Sequence, residues 1–165
     1  MIATFTRLLA VPVIVLAMAT PSHASEPTTV TLTALHSGLC LGISEASLDE
    51  FAAAQQQTCT GAANQQFTYD PRGLTFTAVH SGQCLTVSTS PIAEGALIWQ
   101  QQCHSLLQDW RVSPDLTDGA TVIITQVNSG MCLEVLESSK ADGAGVVQSA
   151  CDADNPQQWV VGVVR

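Results

Sequence analysis

The sequence predicts an all-β fold in which three copies of one unit close into a threefold barrel. The first observation is that the six cysteines form three successive pairs, and the two cysteines of each pair are 19 residues apart. The second is strand patterning, since apolar residues alternate with threonine or are β-branched before each pair. The third is a cysteine-bearing hairpin in three copies, which read LHSGLCLGI at 35–43, VHSGQCLTV at 79–87 and VNSGMCLEV at 127–135.

The first residues have the order of a secretory signal peptide. Residues 1–7 are short and basic, residues 8–19 are continuously apolar, and small residues lead up to Ala24. The apolar run is too short to cross a bilayer as a helix. We therefore expect a signal peptide of residues 1–24 and a secreted, extracellular domain of residues 25–165.

The chain is acidic, with 14 Asp and Glu against 5 Lys and Arg and a net charge of −9. Loss of Arg7 with the signal peptide makes the mature chain still more negative. Such a charge repels phosphate backbones and anionic lipid, so neither nucleic acid nor a membrane surface is an expected partner.

All six cysteines lie after the predicted signal peptide. An even number in a secreted protein indicates disulfides, and each would close a loop that stabilises the fold by about 3 kcal/mol. The sequence has no CxxC pair or Cys–His cluster at ligand spacing, so we expect neither zinc nor another cofactor. The equal intervals favour one bridge in each copy, namely Cys40–Cys59, Cys84–Cys103 and Cys132–Cys151.

Turn chemistry supports the hairpins, because the Ser-Gly step in each copy supplies a residue that tolerates positive φ. One segment fits less well. Ser47 and Glu50 form a capping-box pattern ahead of helix-forming residues. We still expect a strand-to-strand connection there, with one helical turn, because the interval to Cys59 is unchanged.

Two further glutamine positions recur. One lies three residues before the second cysteine of each copy, and we expect an inward amide that satisfies turn backbone at Gln56, Gln100 and Gln148. The other opens a Gln-x-aromatic motif that closes each copy, at Gln65-Gln66-Phe67, Gln108-Asp109-Trp110 and Gln157-Gln158-Trp159. Propellers typically have four or more blades, so three units favour a closed barrel over a propeller.

These motifs resemble the three subdomains of a ricin B-type lectin, over about residues 28–164. The resemblance implies a β-trefoil of twelve strands, with one disulfide in each repeat and at most one shallow sugar pocket per subdomain. We expect the repeats at about 28–70, 71–115 and 116–165.

Strand alternation assigns side chains to faces. In the Cys-Leu-x-Val motif the apolar pair faces the core, as do the motif aromatics Phe67, Trp110 and Trp159. The variable residue x then faces outward, on the same side as the residue two before the second cysteine. These outward positions are Gly42, Thr86 and Glu134 for x, and Gln57, Gln101 and Ser149 on the second strand.

The resemblance implies an Asp at x, an aromatic two residues before the second cysteine, and an Asn-Gln pair, and no copy has all three. The third copy is the best candidate for sugar binding, with Glu134, Asn155, Gln157 and Ser149. The first copy retains only Asn64 and Gln65, and the second offers only Trp99, so both are weaker candidates. We expect affinity on the order of millimolar.

Catalytic patterns are weak. His36-Ser37 and His80-Ser81 pair a base with a hydroxyl, but adjacent strand residues face opposite ways, and these are turn positions. The DADN segment at 152–155 lacks the glycine and distal glutamate of a calcium loop. We therefore expect no enzyme, but a secreted lectin-like module that binds glycans or polysaccharide. The alternative is a trefoil that has lost sugar binding and recognises or inhibits a secreted or surface protein.

Overall fold

The computed structural model describes residues 26–88, 92–104, 106–152 and 154–165, so the predicted signal peptide lies outside the described residues. The described part of the chain is all-β, with short 3-10 helices at Ser44–Ala46, Ala63–Gln65, Leu106–Gln108, Leu136–Ser138 and Asn155–Gln157. Its twelve strands are β1 Thr28–Ala34, β2 Cys40–Ile43, β3 Ala54–Gln57, β4 Phe67–Asp70, β5 Thr75–Ala78, β6 Cys84–Val87, β7 Ile98–Gln101, β8 Trp110–Ser113, β9 Thr121–Gln126, β10 Cys132–Val135, β11 Val146–Ser149 and β12 Gln158–Val163.

Six of these strands form a nearly closed barrel. They pair antiparallel in the order β5, β4, β1, β12, β9, β8. The two ends of this path meet where the amide of Trp110 donates to the carbonyl of Leu74 at 2.6 Å. The other six strands form the hairpins β2–β3, β6–β7 and β10–β11. The predicted threefold β-trefoil is therefore confirmed.

Each hairpin is attached to the barrel in the same way. The first cysteine of the hairpin lies opposite a threonine of the preceding barrel strand. The Ser-Gly glycines have φ near +70°, as the turn prediction requires. The three predicted disulfides are present, with Cα–Cα distances of 5.0, 5.1 and 5.1 Å, and each lies within one repeat.

The core is built from the inward faces of all three repeats, and the predicted aromatic positions are confirmed. Phe67, Trp110 and Trp159 are fully buried. The indole nitrogens of Trp110 and Trp159 donate to the carbonyls of Leu85 and Leu133, each at 3.0 Å. Each tryptophan thus anchors the hairpin of its own repeat and satisfies its buried donor. No helix in the described ranges is long and apolar enough to cross a membrane.

A ring of buried glutamines joins the repeats. The Gln56 amide donates to the carbonyls of Ser139 and Ala141 in the third repeat, each at 2.8 Å. The Gln100 amide donates equally to Ser47 and Asp49 in the first repeat.

Gln148 is the third glutamine of the ring, and it links the third repeat to the second. Gln148 donates to the carbonyl of Ala93 in the second repeat at 2.9 Å. The amide oxygens accept hydroxyls from Ser37, Ser81 and Ser129 of their own hairpins. The prediction of inward amides that satisfy turn backbone is confirmed, and the amides also link neighbouring repeats.

The connection after β2 contains a short 3-10 helix at Ser44–Ala46 and then a turn, as expected. The capping box itself does not form. The Ser47 hydroxyl accepts from the amide of Asp49 at 3.1 Å, while the Glu50 carboxylate accepts from the amide of Gln102 at 3.2 Å. The tertiary contact with the second repeat therefore replaces the local helical cap.

Candidate functional site

The variable position x of the Cys-Leu-x-Val motif is less exposed than strand alternation predicts. Gly42 is buried, Thr86 is 1% exposed, and only Glu134 is half-buried. The reason is that the Gln-x-aromatic motif folds back over this position in every repeat. The prediction of an outward-facing residue is thus wrong for Gly42 and Thr86.

In the third repeat, Gln157 holds Glu134. The Nε2 of Gln157 donates to Oε2 of Glu134 and to the carbonyl of Ala150, each at 2.7 Å. The Oε1 of Gln157 accepts from the amide of Asp152 at 3.1 Å. Among the described residues, none donates a hydrogen bond to Oε1 of Glu134. The carboxylate is therefore fixed through one oxygen and has the other available.

Ser149 lies beside this carboxylate on the adjoining strand. In the β10–β11 ladder, Ser149 pairs with Cys132, and Glu134 pairs with Val147. The Ser149 hydroxyl donates to the Glu94 carboxylate of the second repeat at 3.4 Å. The floor of the third site therefore combines apolar Val147 with polar Ser149 and has no aromatic ring, and the neighbouring repeat supplies the Glu94 carboxylate at its edge.

Asn155 is placed apart from the other third-repeat candidates. It is exposed and lines a depression of about 440 Å³ with Asp154, Pro156 and Gln158. Neither Glu134 nor Gln157 lines that depression. The structure therefore brings together Glu134, Gln157 and Ser149, whereas Asn155 lines the separate depression.

In the first repeat, Gln57 occupies the space above Gly42. A Cβ atom on Gly42 would lie 2.8 Å from Oε1 of Gln57. That oxygen accepts from Asn64 at 3.2 Å and from Gln65 at 3.4 Å. Asn64 also donates to the carbonyl of Ile43 at 2.9 Å. Both predicted amides are thus nearly buried and engaged with protein groups, beside a depression of about 340 Å³.

In the second repeat, the Gln108 amide donates to the Thr86 hydroxyl at 2.9 Å inside the protein. Trp99 lies directly across the ladder from Thr86 and is half-buried. Its ring meets the ring of Phe51 edge-on, with centroids 5.1 Å apart and planes at 71°. The buried Nε1 of Trp99 has no hydrogen-bond partner within the described residues.

The sequence shows Phe51 as a departure from the repeat, although sequence reasoning assigned it to no site. Phe51 occupies the turn position that is Gly95 in the second copy and Gly143 in the third. All three residues have positive φ, at +67°, +76° and +84° respectively. A phenylalanine where two equivalent residues are glycine was therefore visible as an anomaly in the repeat.

Sequence reasoning also missed three carboxylates that precede these turn residues. Each contacts the next repeat at the last residue of its second hairpin strand or at the residue that follows that strand. Glu50 accepts from the amide of Gln102, and Glu94 accepts from Ser149. Asp142 accepts from both the hydroxyl and the amide of Thr58, and these hydrogen bonds lower the pKa of Asp142.

The histidine–serine pairs are structural contacts of the hairpin turns, as predicted. Nε2 of His36 lies 2.7 Å from the carbonyl of Ser139, and Nε2 of His80 lies 2.9 Å from that of Ser47. The adjacent serines donate to the glutamine ring. In the described ranges, no group of three or more His, Cys, Asp or Glu side chains could hold a metal ion.

Comparison with known proteins identifies the class that this fold and these motifs define. The profile of the ricin-type beta-trefoil lectin domain matches residues 28–159. The chain therefore belongs to the ricin-type β-trefoil lectin family. No match to it is found among curated proteins.

Solved structures with the same fold include a designed protein and natural sugar-related proteins. The designed threefold-symmetric protein ThreeFoil is 29% identical, with a TM-score of 0.73 over 82% of this chain and 99% of its own. The exo-β-1,3-galactanase 1,3Gal43A from Clostridium thermocellum is 24% identical, with a TM-score of 0.74 over 88% of this chain and 31% of the enzyme.

A third similar structure is the Macrolepiota procera ricin B-like lectin in complex with lactose. It is 17% identical, with a TM-score of 0.71 over 86% of this chain and 99% of the lectin. At these identities, the likeness to the galactanase and to this lectin shows the fold alone.

Proposed function

We propose that this protein is a secreted carbohydrate-binding module without catalytic activity, and that its third repeat binds the sugar. The observation that carries the proposal is the Glu134 carboxylate, which Gln157 fixes through one oxygen at 2.7 Å. The second oxygen can accept sugar hydroxyls, and hydrogen bonds to a charged group are the stronger kind. Ser149 offers a further hydroxyl on the adjoining strand.

The proposed ligand is a neutral sugar. Glu94 and Glu134 both border the site, and the net charge of −9 disfavours anionic glycans. Since Ser149 stands where the family pattern has an aromatic ring, stacking is absent there. We propose an affinity on the order of millimolar for a single sugar. The lactose bound to the Macrolepiota procera lectin makes lactose a reasonable first ligand to test.

A second candidate function is protein recognition by a trefoil without sugar binding. This alternative is supported by the first and second repeats, in which the equivalent sites are filled by the protein's own side chains. Gln57 occupies the first of them, and Thr86 is buried in the second. Binding of any sugar that depends on Glu134 would exclude this alternative as the sole function.

The test is Glu134→Gln, with lactose and GalNAc titrations followed by ligand-observed NMR. Loss of a charge-assisted hydrogen bond, about 1.5–3 kcal/mol, should weaken binding at least tenfold. The fold should remain intact because the amide can still pair with Gln157. Glu137→Gln is the matched control, since Glu137 is exposed in the next connection. Equal binding by wild type and Glu134→Gln would contradict the proposed site.

A further inference from the structure

A cavity opens at the end of the barrel that is opposite the three hairpins. The first hairpin is attached at Thr33, near the end of β1, whereas the cavity lies beside Thr28, the first residue of that strand. Its volume is about 320 Å³. Ligand pockets in proteins typically enclose about 300–1,000 Å³, and the mouth of a β-barrel is one of their usual places. The cavity therefore has the size and the position of a site for a small molecule.

The wall of this cavity is apolar and firmly held. The apolar residues that form it are Tyr69, Pro71, Val112 and Leu116. The ring of Tyr69 packs against Phe76 with centroids 4.6 Å apart, and its hydroxyl donates to the carbonyl of Trp110 at 3.1 Å. Burial raises the pKa of Tyr69 above its ordinary value, as expected for a phenol in poorly hydrated surroundings. The wall thus offers an apolar body a contact surface that needs no rearrangement.

The connection between β8 and β9 forms one side of the cavity and departs from the repeat. It spans residues 114–120, whereas the connection between β4 and β5 spans only residues 71–74. Its Gly119 amide donates to the carbonyl of Val161 at 2.8 Å, and Oδ1 of Asp118 accepts from a backbone amide of β12 at 2.9 Å. These contacts fix the longer connection against β12. The cavity is therefore pre-formed, which lowers the entropy cost of binding a ligand.

Two carboxylates, those of Glu26 and Asp115, stand at the mouth of the cavity. The Glu26 carboxylate pairs with Arg72 at 3.0 Å, and both side chains are exposed. Asp115 is exposed, and no residue in the described ranges forms a hydrogen bond or an ion pair with its side chain. Arg111 is exposed on the opposite face of β8 from Val112, as strand alternation requires. The mouth of the cavity therefore carries a negative charge that the protein itself does not neutralise.

We propose that this cavity binds a small organic ammonium ion, in which a protonated amine is attached to an aromatic or aliphatic body. The body lies against the apolar wall, and the amine donates to the Asp115 carboxylate. An anionic ligand such as a fatty acid would be repelled by the two carboxylates. A sugar would place hydroxyl groups against the apolar wall, where they would lack hydrogen-bond partners.

The cavity and the Glu134 site are independent of each other. Glu134, Gln157 and Ser149 belong to or cover the third hairpin, and none of them lines the cavity at the other end of the barrel. The ammonium proposal also concerns a different class of ligand, so it does not rest on the proposed function.

The test uses a single reporter on the cavity wall. Because Tyr69 is the only tyrosine of the chain, labelling with 3-fluorotyrosine gives one ¹⁹F resonance. The probes 2-phenylethylammonium, 2-phenylethanol and 3-phenylpropionate share one ring and differ in charge, and ethylammonium keeps the charge without the ring. The phenylethylammonium ion should shift the resonance with a dissociation constant on the order of millimolar. The alcohol should bind about three- to fivefold more weakly, which is the range of an exposed ion pair.

The negative and small probes complete the comparison. Neither 3-phenylpropionate nor ethylammonium should saturate the shift at the concentrations that saturate it with the amine. The preference for the amine over the alcohol should shrink in about 1 M NaCl, because salt screens exposed charges.

Asp115→Asn should reduce the affinity for the amine to that for the alcohol, without changing the affinity for the alcohol. Asp118→Asn is the matched control, since it removes the same charge from the same connection at a residue that does not line the cavity. Its amide oxygen can still accept from β12. Leu116→Ala should weaken the binding of amine and alcohol alike. If Leu116→Ala folds poorly, Asp115→Asn decides, because Asp115 is exposed.

Several results would overturn the proposal. They are equal binding of amine and alcohol, amine binding by Asp115→Asn equal to wild type, and equal losses in Asp115→Asn and Asp118→Asn. A shift with ethylammonium as strong as that with 2-phenylethylammonium would show a general attraction of cations and also overturn it.

Lactose separates the cavity from the Glu134 site. It should leave the ¹⁹F resonance of Tyr69 unchanged, and Glu134→Gln should leave amine binding unchanged. Loss of lactose binding by wild type would contradict the Glu134 site alone. A shift caused by lactose and abolished by Asp115→Asn would make the cavity a sugar site, and the ammonium proposal would then be wrong.

Discussion

At the scale of single residues, the three repeats place different chemistry on one backbone position. Gly42, Thr86 and Glu134 each follow the motif leucine, and a Gln-x-aromatic glutamine covers each of them. A carboxylate is long enough to reach past that glutamine, whereas a threonine is not. The length of the side chain at this position therefore decides whether the repeat presents a polar group to a ligand.

The burial of Thr86 leads to a prediction about stability. Thr86→Ala removes the hydroxyl that accepts from Gln108 at 2.9 Å, and it should destabilise the protein by about 1–2 kcal/mol. Thr86→Ser keeps the hydroxyl and is the matched control. Urea unfolding measures the difference. Equal midpoints for wild type and Thr86→Ala would show that the hydrogen bond contributes nothing.

At the scale of elements, the connection between the two strands of each hairpin holds the next repeat through a hydrogen bond, and this contact is called the clamp. Its acidic residue accepts a hydrogen bond from the neighbouring hairpin at Glu50, Glu94 and Asp142. The glutamine ring lies on the inner side of the same contact. Neighbouring repeats are thus joined by both an exposed carboxylate and a buried amide.

The Asp142 clamp predicts a pH dependence. The Thr58 hydroxyl and amide lower the pKa of Asp142 from its ordinary value of 3.8. A carboxyl whose pKa is lower in the folded state stabilises the fold above pH 3.8, and this contribution disappears as the pH falls through the folded pKa. Asp142→Asn should therefore lower the unfolding temperature at neutral pH.

Scanning calorimetry measures the unfolding temperature from neutral pH to about pH 2, a range that covers the usual titration of carboxyl groups. The difference in unfolding temperature between wild type and Asp142→Asn should disappear at acid pH. Thr58→Val removes one of the two donors and should reduce the pH dependence. A gap that stays constant over the whole range would contradict the Asp142 assignment.

At the scale of the whole molecule, three units that each need neighbours to bury their apolar faces close on one another. Each repeat supplies strands to a shared barrel, and its buried glutamine satisfies carbonyls of another repeat. Loss of one such amide therefore weakens the junction of two repeats as well as its own hairpin.

Gln100→Ala tests this closure. The substitution leaves the carbonyl of Asp49 and the hydroxyl of Ser81 without their Gln100 partner, and it leaves the carbonyl of Ser47 with His80 alone. It should cost about 3 kcal/mol, because each buried polar group that loses its hydrogen bond is expensive. Gln101→Ala changes the next, half-buried glutamine and should cost under about 0.5 kcal/mol. Similar losses in the two variants, measured by denaturant unfolding, would argue against the ring.

The sequence by itself determined the architecture of this protein. Repeated hairpins, equal cysteine intervals and the Gln-x-aromatic motif predicted three equivalent units, their disulfides, their core aromatics and the inward glutamines. These features could be predicted because they are local and occur three times, so each copy supports the interpretation of the others. Strand periodicity, turn glycines and cysteine spacing all act within one repeat.

Only the tertiary structure decided which surfaces are available to a ligand. Strand alternation predicts that Thr86 faces outward, but Gln108, which lies 22 residues later in the chain, covers it. Gln57 turns over Gly42, and Phe51 of one repeat meets Trp99 of the next. Such contacts depend on where the folded chain brings distant segments, and the pattern within a strand carries no information about them. The exposure of a binding position is therefore a property of the closed barrel.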